Sequence, residues 1–386
     1  MDRITVVGAG IAGLTAAISC AEQGAPVVLM EAHEQLGGRA RTLSGPYKAN
    51  LGPHALLSGS PFWHWMGERD LLPPAVRPPL SGVRFRWHND IRRVPAVGAT
   101  IAALRLRGRS APVELDFHTW AADHVGAEAA TALARSAGVL TYHHDPGELS
   151  AAFVWEPLVR GLLTAPPTAR FPIGGWSAII ERMRNRACEL GVEIRTGERA
   201  LELPERPVIV ATELADARTL LGDDTLRWKG GHAVCLDLAL RSRRGDPFVV
   251  VDLQETGWIE RYTASDRSLA PAGEELLQAQ MPIRPGESVD SAASRLQALL
   301  DATFTGWRER ETWRRRQVMD GRTGALDMPG QTWRDRPAVD RGDGVFVAGD
   351  MVAAPGCLSE IAWASAVQAS RLAVSAAVGK SRVAAA

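Results

Sequence analysis

Two hydrophobic periods divide the chain. Residues 3–7 (RITVV) form a short β-branched run, glycines follow, and LTAAISCAEQG continues at helical spacing to a stop near Gly24. PVVLM (26–30) is a second apolar run, short enough for a buried strand. Residues 171–212 predict a loop (FPIGGW), a helix with Ile179, Ile180, Met183 and Ala187 on one stripe, a strand and hairpin in GVEIRTGERALEL, and a buried strand in PVIVAT. Near the end, 345–348 predicts another buried strand and a small-residue helix begins near Leu358, with Ala362, Ala366 and Ala369 keeping it close to a sheet. Elsewhere the period drops to two. Val83, Phe85 and Trp87 alternate with Arg84, Arg86 and His88 before an Asn89-Asp90 turn, and His232, Val234, Leu236, Leu238 and Leu240 repeat the pattern. Helices are expected around 116–136 and 288–301.

The first segment carries chemistry. Gly8, Gly10 and Gly13 stand at GxGxxG spacing, with Ile11 and Ala12 opening the helix. Gly8 suits a tight turn, Gly10 lets backbone approach a pyrophosphate, and Gly13 lets helix pack on strand. Glu31, followed by Ala32, ends the second strand where a carboxylate accepts ribose hydroxyls, and an acid there disfavours a 2′-phosphate. A dinucleotide is expected.

Composition narrows the partners. The chain has 386 residues, 46% of them hydrophobic, enough for about two domains. Its 44 basic and 44 acidic side chains cancel, which removes the broad attraction expected of a nucleic-acid binder. Cys20, Cys188, Cys235 and Cys357 form no CxxC pair and no zinc-ligand spacing, so buried free thiols and no metal are expected. The start has no basic and apolar leader pattern, and no apolar run reaches about 18 residues, so a cytoplasmic location without a transmembrane segment is expected. The arginine-flanked segment 94–106 (VPAVGATIAALRL) reads first as a packed helix and second as a peripheral membrane contact. WRERETWRRRQ (307–317) reads as a solvated segment.

EAHEQLGGRARTL, just after the second strand, places Gly37, Gly38, Arg39 and Thr42 in a GG-R-x-x-T pattern. Two glycines allow a close loop, and a guanidinium neutralises phosphate. Here the sequence resembles the FAD-dependent amine oxidase and phytoene desaturase superfamily. The resemblance implies that this segment lies beside the flavin pyrophosphate, and that Gly52, Pro53 and His54 of NLGPHALL line the flavin. It also implies that Ala200 touches adenine through its backbone near the Ala211-Thr212 turn. Gly349-Asp350 would hold the ribityl or pyrophosphate, and the helix opening at Leu358 and Ser359 would point at flavin N1 and C2=O. That last role agrees with the positive end of a helix dipole. FAD should be noncovalent, because Cys357 lies in no recognisable tethering motif.

The expected fold is α/β. A Rossmann-like FAD-binding domain is assembled from the discontinuous segments 1–75, 172–231 and 317–386. An α+β substrate domain with a mixed sheet comes from 76–171 and 232–316, with helices on one face and the open face toward the flavin.

No second strand-GxGxxG-helix unit offers a nicotinamide site, so electrons are expected from an organic substrate. The implied reaction is hydride transfer from a substrate C–H to flavin N5, with dioxygen or another acceptor reoxidising the flavin. One departure matters. Amine oxidases of the superfamily have a lysine water-bridged to N5, and here the nearest, Lys229, precedes the strand of 232–240. NLGPH, PIGG and the PG-containing terminal loop bring the chain closer to desaturase-like members, whose substrates are usually apolar. An apolar or amine-containing small metabolite is therefore expected, and Trp176, Trp258, Tyr262 and Trp363 are the aromatics placed nearest it. His54, Trp176 and Tyr262 are the catalytic candidates; no acid or base is named. A flavin-bound isomerase or cyclase, or a non-catalytic binding protein on the same scaffold, are the competing expectations.

Overall fold

In a computed structural model of the chain, residues 1–52, 55–79, 81–88, 90–94, 97–164 and 168–383 are described. The short buried runs pair as a five-stranded parallel sheet. Its order is Val345–Val347, Val208–Val210, Ile4–Val7, Val27–Met30, Glu193–Arg195. The earliest strand is central and its neighbours come from all three expected segments. Such runs are apolar throughout because helices cover the sheet's faces. Helices Ile11–Glu22, Ser177–Glu189 and Ser359–Val383 contribute to the same core.

Small residues set the distance between two of these helices. Ala366, Ala369, Ala373 and Ala377 are fully buried in that core, at the i, i+3, i+7 and i+11 positions of one helix stripe. By length and apolar composition Ser359–Gly379 is a helix able to cross a membrane. Its alanine stripe is buried in the core shared with the first helix, and 39% of its most apolar stretch is buried in this fold.

The second sheet is mixed and seven-stranded, ordered Glu311–Ala325, Gly230–Arg241, Glu274–Pro282, Trp258–Arg261, Val249–Asp252, Val83–Trp87, Asp90–Arg92. Only Val249–Asp252 and Val83–Trp87 run parallel among its pairs of described strands. Helix Val289–Thr303 covers one face, packing Ala292, Leu296, Leu299 and Leu300 against Leu236, Leu238, Leu277 and Ile259. The other face looks toward the first domain. A helical cluster of Val97–Leu106, Phe117–Val125, Ala127–Ser136 and Ala151–Pro157 closes the side.

The structure departs from expectation at several places. Residues 196–207 form no hairpin; Pro204 and Pro207 remove donors, and Leu201 is exposed. The charged segment at 307–317 is a short helix, Trp307–Arg310, running into the edge strand Glu311–Ala325, so the expected boundary at 317 falls inside a strand. Charges belong there, since they stop an edge from pairing with another chain. Thr312, Arg314 and Arg316 face solvent while Trp313, Arg315 and Gln317 turn inward. The helix expected over 116–136 divides at Gly126. Cys188 is exposed, whereas Cys20, Cys235 and Cys357 are buried free thiols.

Candidate functional site

Backbone geometry builds one end of the site. Gly8 has φ 96°, and its N–H donates to the Met30 carbonyl at 2.8 Å. A Cβ on Gly8 would lie 2.8 Å from the Ala211 carbonyl oxygen, and one on Gly13 only 1.7 Å from the Gly8 carbonyl oxygen. Gly13 thus serves close packing and lines no cavity. A Cβ on Gly10, by contrast, would meet nothing nearer than the Gly37 carbonyl oxygen at 3.9 Å. The space above the helix start is open. The first-turn amides of Ile11 and Ala12 have no intrahelical acceptor, as in any helix, and Gly10 supplies no side-chain cap.

Glu31 is buried at the end of its strand. Its Oε2 accepts the Ala9 N–H at 2.8 Å and its Oε1 the His33 N–H at 3.0 Å. Each oxygen retains a further lone pair. The Gly37 N–H donates to the Ala9 carbonyl at 2.8 Å and ties the second loop to the first. From that loop Arg39 reaches Asp350 through two bonds of 2.8 Å, and donates to the Arg322 carbonyl at 2.7 Å. Burial alone would raise the Asp350 pKa, but the Arg39 charge and its bonds prevail and hold the carboxyl below its ordinary value. Sequence reasoning picked both residues and missed that they hold each other.

A cavity of about 960 Å³ joins this end to the second sheet. Gly8, Gly10, Ile11, Ala12, Glu31 and Ala32 line it, as do Gly37, Gly38, Arg39 and Gly52. Ala200, Ala211, Thr212, Gly349, Asp350, Leu358 and Ser359 complete the set from later segments. Pro53 and His54 lie outside the described residues. Trp176, Trp258 and Tyr262 line the cavity, whereas Trp363 packs against the core of the first domain instead. Lys229 does not line it, and the strand begins one residue later at Gly230.

The cavity-facing side of the second sheet reads in two rows fixed by strand register. One row is Val83, Val249, Glu260, Gln278, Asp237, Arg315; the next is Phe85, Val251, Trp258, Gln280, Cys235, Gln317. The polar half holds the loop that leads to Gly52. Gln278 donates to the Asn50 carbonyl at 2.8 Å and accepts the Asn50 N–H at 3.2 Å. Arg315 reaches the same carbonyl at 3.0 Å, and Gln317 the Leu51 carbonyl at 3.2 Å. The apolar half walls the cavity with Val83, Phe85, Val249, Val251 and Trp258, joined by Phe171, Phe248 and Tyr262. Phe171 meets Tyr262 edge-on at 5.7 Å and Phe248 at 6.4 Å.

Glu260 sits at the boundary between the halves. It is buried, lines the cavity, and its one described side-chain bond comes from Trp258 Nε1 at 3.3 Å. Burial raises its carboxyl pKa to about 7, against a small opposing effect of the Trp258 bond. The other buried carboxylates are better matched. Asp237, Asp252, Glu275, Asp327 and Glu360 each hold an arginine. Glu31 and Asp266 each hold two backbone amides. Tyr142, buried in a left-handed turn (φ 55°), also lines the cavity, and burial raises its hydroxyl pKa well above the ordinary value. Neither residue was named from sequence. The available signal was an acid inside the apolar strand WIER.

Residues 6–68 match the family described as NAD(P)-binding Rossmann-like domain. The carotenoid 3,4-desaturase of Haloarcula japonica is 51% identical over 53 residues, 14% of this chain and 11% of that protein. The L-amino-acid oxidase of Crotalus adamanteus is 49% identical over 55 residues, again 14% of this chain and 11% of the relative. The chain therefore matches only about a ninth of the length of these curated relatives. A solved oxidoreductase from Methanosarcina mazei, at 18% identity, shares the fold over 95% of this chain and 99% of its own, with a TM-score of 0.78. The protein thus has a Rossmann-like nucleotide-binding domain within a two-domain α/β fold, and its partial relatives include a carotenoid desaturase and an L-amino-acid oxidase.

Proposed function

We propose that the chain is an FAD-dependent oxidoreductase that dehydrogenates a small apolar or amine-containing metabolite. The observation that carries this reading is the single cavity joining the glycine turn and Glu31 to an apolar, aromatic wall. Its volume of about 960 Å³ stands at the upper end of ligand pockets, in keeping with a dinucleotide and a small substrate together. The residues fit the cofactor: open space above Gly10, free first-turn amides for the pyrophosphate, and a buried acid for ribose. Gly37, Gly38 and the bridged Arg39 and Asp350 would flank the middle of a noncovalently held FAD, with Gly52, Leu358 and Ser359 beside the flavin.

When bound, FAD supplies a hydride acceptor at N5, later reoxidised by dioxygen or another acceptor. The protein's own part is to bind and desolvate the substrate. Phe171, Phe248, Val249 and Trp258 exclude water from the chamber and restrict the substrate's orientation there. The helix Val97–Leu106 buries Ala102 and Leu106 while exposing Ile101 and Leu104, which supports transient contact of a cytoplasmic protein with a membrane surface.

The test is the visible absorbance spectrum of the purified protein, with the chromophore released by heat and identified by chromatography. FAD that follows the protein, and that bleaches anaerobically with a member of an amine and polyene panel, is the expected result. A colourless protein that takes up no added FAD would overturn the reading.

A further inference from the structure

Resting on that reading, the chamber contains a feature that a hydrocarbon substrate leaves unexplained. Glu260 is buried in a wall of apolar and aromatic side chains, with one described donor, the Trp258 indole at a long 3.3 Å. Gln278 stands next to it in the row, but its amide is committed to Asn50 and Asp237. No described arginine, lysine or histidine pairs with Glu260, although the other buried carboxylates of the protein are matched by arginines or pairs of amides.

A carboxylate placed this way costs free energy until a ligand brings donors to it. The rings that share its cavity restrict what that ligand is. Trp258, Tyr262, Phe171 and Phe248 line the same cavity, and ring faces attract cations. A protonated nitrogen satisfies both demands, since it offers the charge that Glu260 lacks and lies comfortably against aromatic faces. A hydroxyl meets only one of them.

We propose that Glu260 is the specificity-determining residue of the chamber and anchors a protonated nitrogen carried by an otherwise apolar substrate. The anchored nitrogen is not the reacting centre. A nitrogen kept protonated by a carboxylate has no lone pair to assist hydride departure from its neighbouring carbon. The oxidised C–H therefore lies elsewhere on the substrate, at the flavin end of the cavity, and the substrate has two chemically distinct ends.

The experiment compares n-octylamine with n-octanol as probes, bound to the purified protein and followed by calorimetry and tryptophan fluorescence. Wild type is expected to prefer the amine by about tenfold or more, and E260Q to reduce that preference to about twofold with unchanged flavin content. E260D should keep part of the preference. Octylamine should bind without bleaching the flavin anaerobically. Equal affinity for the two probes in wild type would overturn the site whatever the flavin content, as would an undiminished preference in folded E260Q. Bleaching by octylamine would overturn the anchoring role. A colourless protein that still prefers the amine, and loses the preference in E260Q, would uphold the site and sink the flavin reading alone.

Discussion

The two ends of the cavity are built from different materials. At the glycine end the walls are backbone: Gly8 and Gly10 line the space, Gly13 lets the helix close against the turn, and Glu31 is held by two amides from its own neighbourhood. At the sheet end the walls are side chains brought together from strands far apart in sequence, and Glu260 is left with one weak donor. A backbone-built site tolerates little added volume and is indifferent to most chemistry. A side-chain-built wall tolerates exchange of shape but fixes what it will bind.

The sharpest break should come from adding volume at the glycine end. Gly13→Val puts a side chain where even a Cβ lies 1.7 Å from the Gly8 carbonyl oxygen. We expect destabilisation of about 3 kcal/mol or more with loss of bound flavin, read from the urea midpoint and the ratio of flavin to protein absorbance. Full flavin occupancy in that variant would mean the helix does not pack as described. At the other end, Arg315→Met leaves Asp237 buried without its cation, at a cost of about 3 kcal/mol, and removes one of the two donors to the Asn50 carbonyl. A loss confined to stability, with cofactor retention intact, would show that the sheet does not position the Gly52 loop.

Glu260 should behave in the opposite sense. In the unfolded chain its carboxyl titrates near the ordinary glutamate value of 4.5, and burial in the ligand-free fold raises it to about 7. Between these values the unfolded chain releases the proton while the fold retains it, so stability falls as pH rises and the whole penalty is present above about pH 7. E260Q should therefore be more stable than wild type at alkaline pH, by up to about 3 kcal/mol, and near parity below about pH 4.5. Paired thermal melts across that range check this; parallel curves would mean that Glu260 is already matched. The smallest effect is expected at Glu31. E31Q retains the shape and loses one amide acceptor, costing about 1 kcal/mol of stability together with weaker FAD retention in equilibrium dialysis.

The same division explains how much could be read from sequence. Gly8, Gly10, Gly13 and Glu31 were legible because local spacing dictates a strand, a turn and a helix, whatever packs around them. Residues 345–348 and the alanine stripe were legible for the same reason. Glu260 was not, because its burial depends on Val249 and Gln278, which reach it only through register between separate strands. The edge strand Glu311–Ala325 hid behind its charges: in composition a protected edge looks like a solvated segment. Trp363 was assigned to the pocket by residue type, but its helix turns it toward the core of the first domain. Arg39 and Asp350 were found separately, and only the fold discloses their pairing.

That pairing spans 311 positions of sequence, and Val345–Val347 completes a sheet whose central strand begins at Ile4. On the ribosome, the first strand emerges long before the partners that enclose it. The nucleotide end stays unfinished until Val345–Val347 and Asp350 have been made, about three hundred residues after the glycine turn, so competence for the cofactor cannot precede them. Contacts of such separation also slow folding, because a long loop must close before they yield any stabilisation. Until those partners arrive, the apolar strand Ile4–Val7 has no complete sheet to enter and remains an exposed edge.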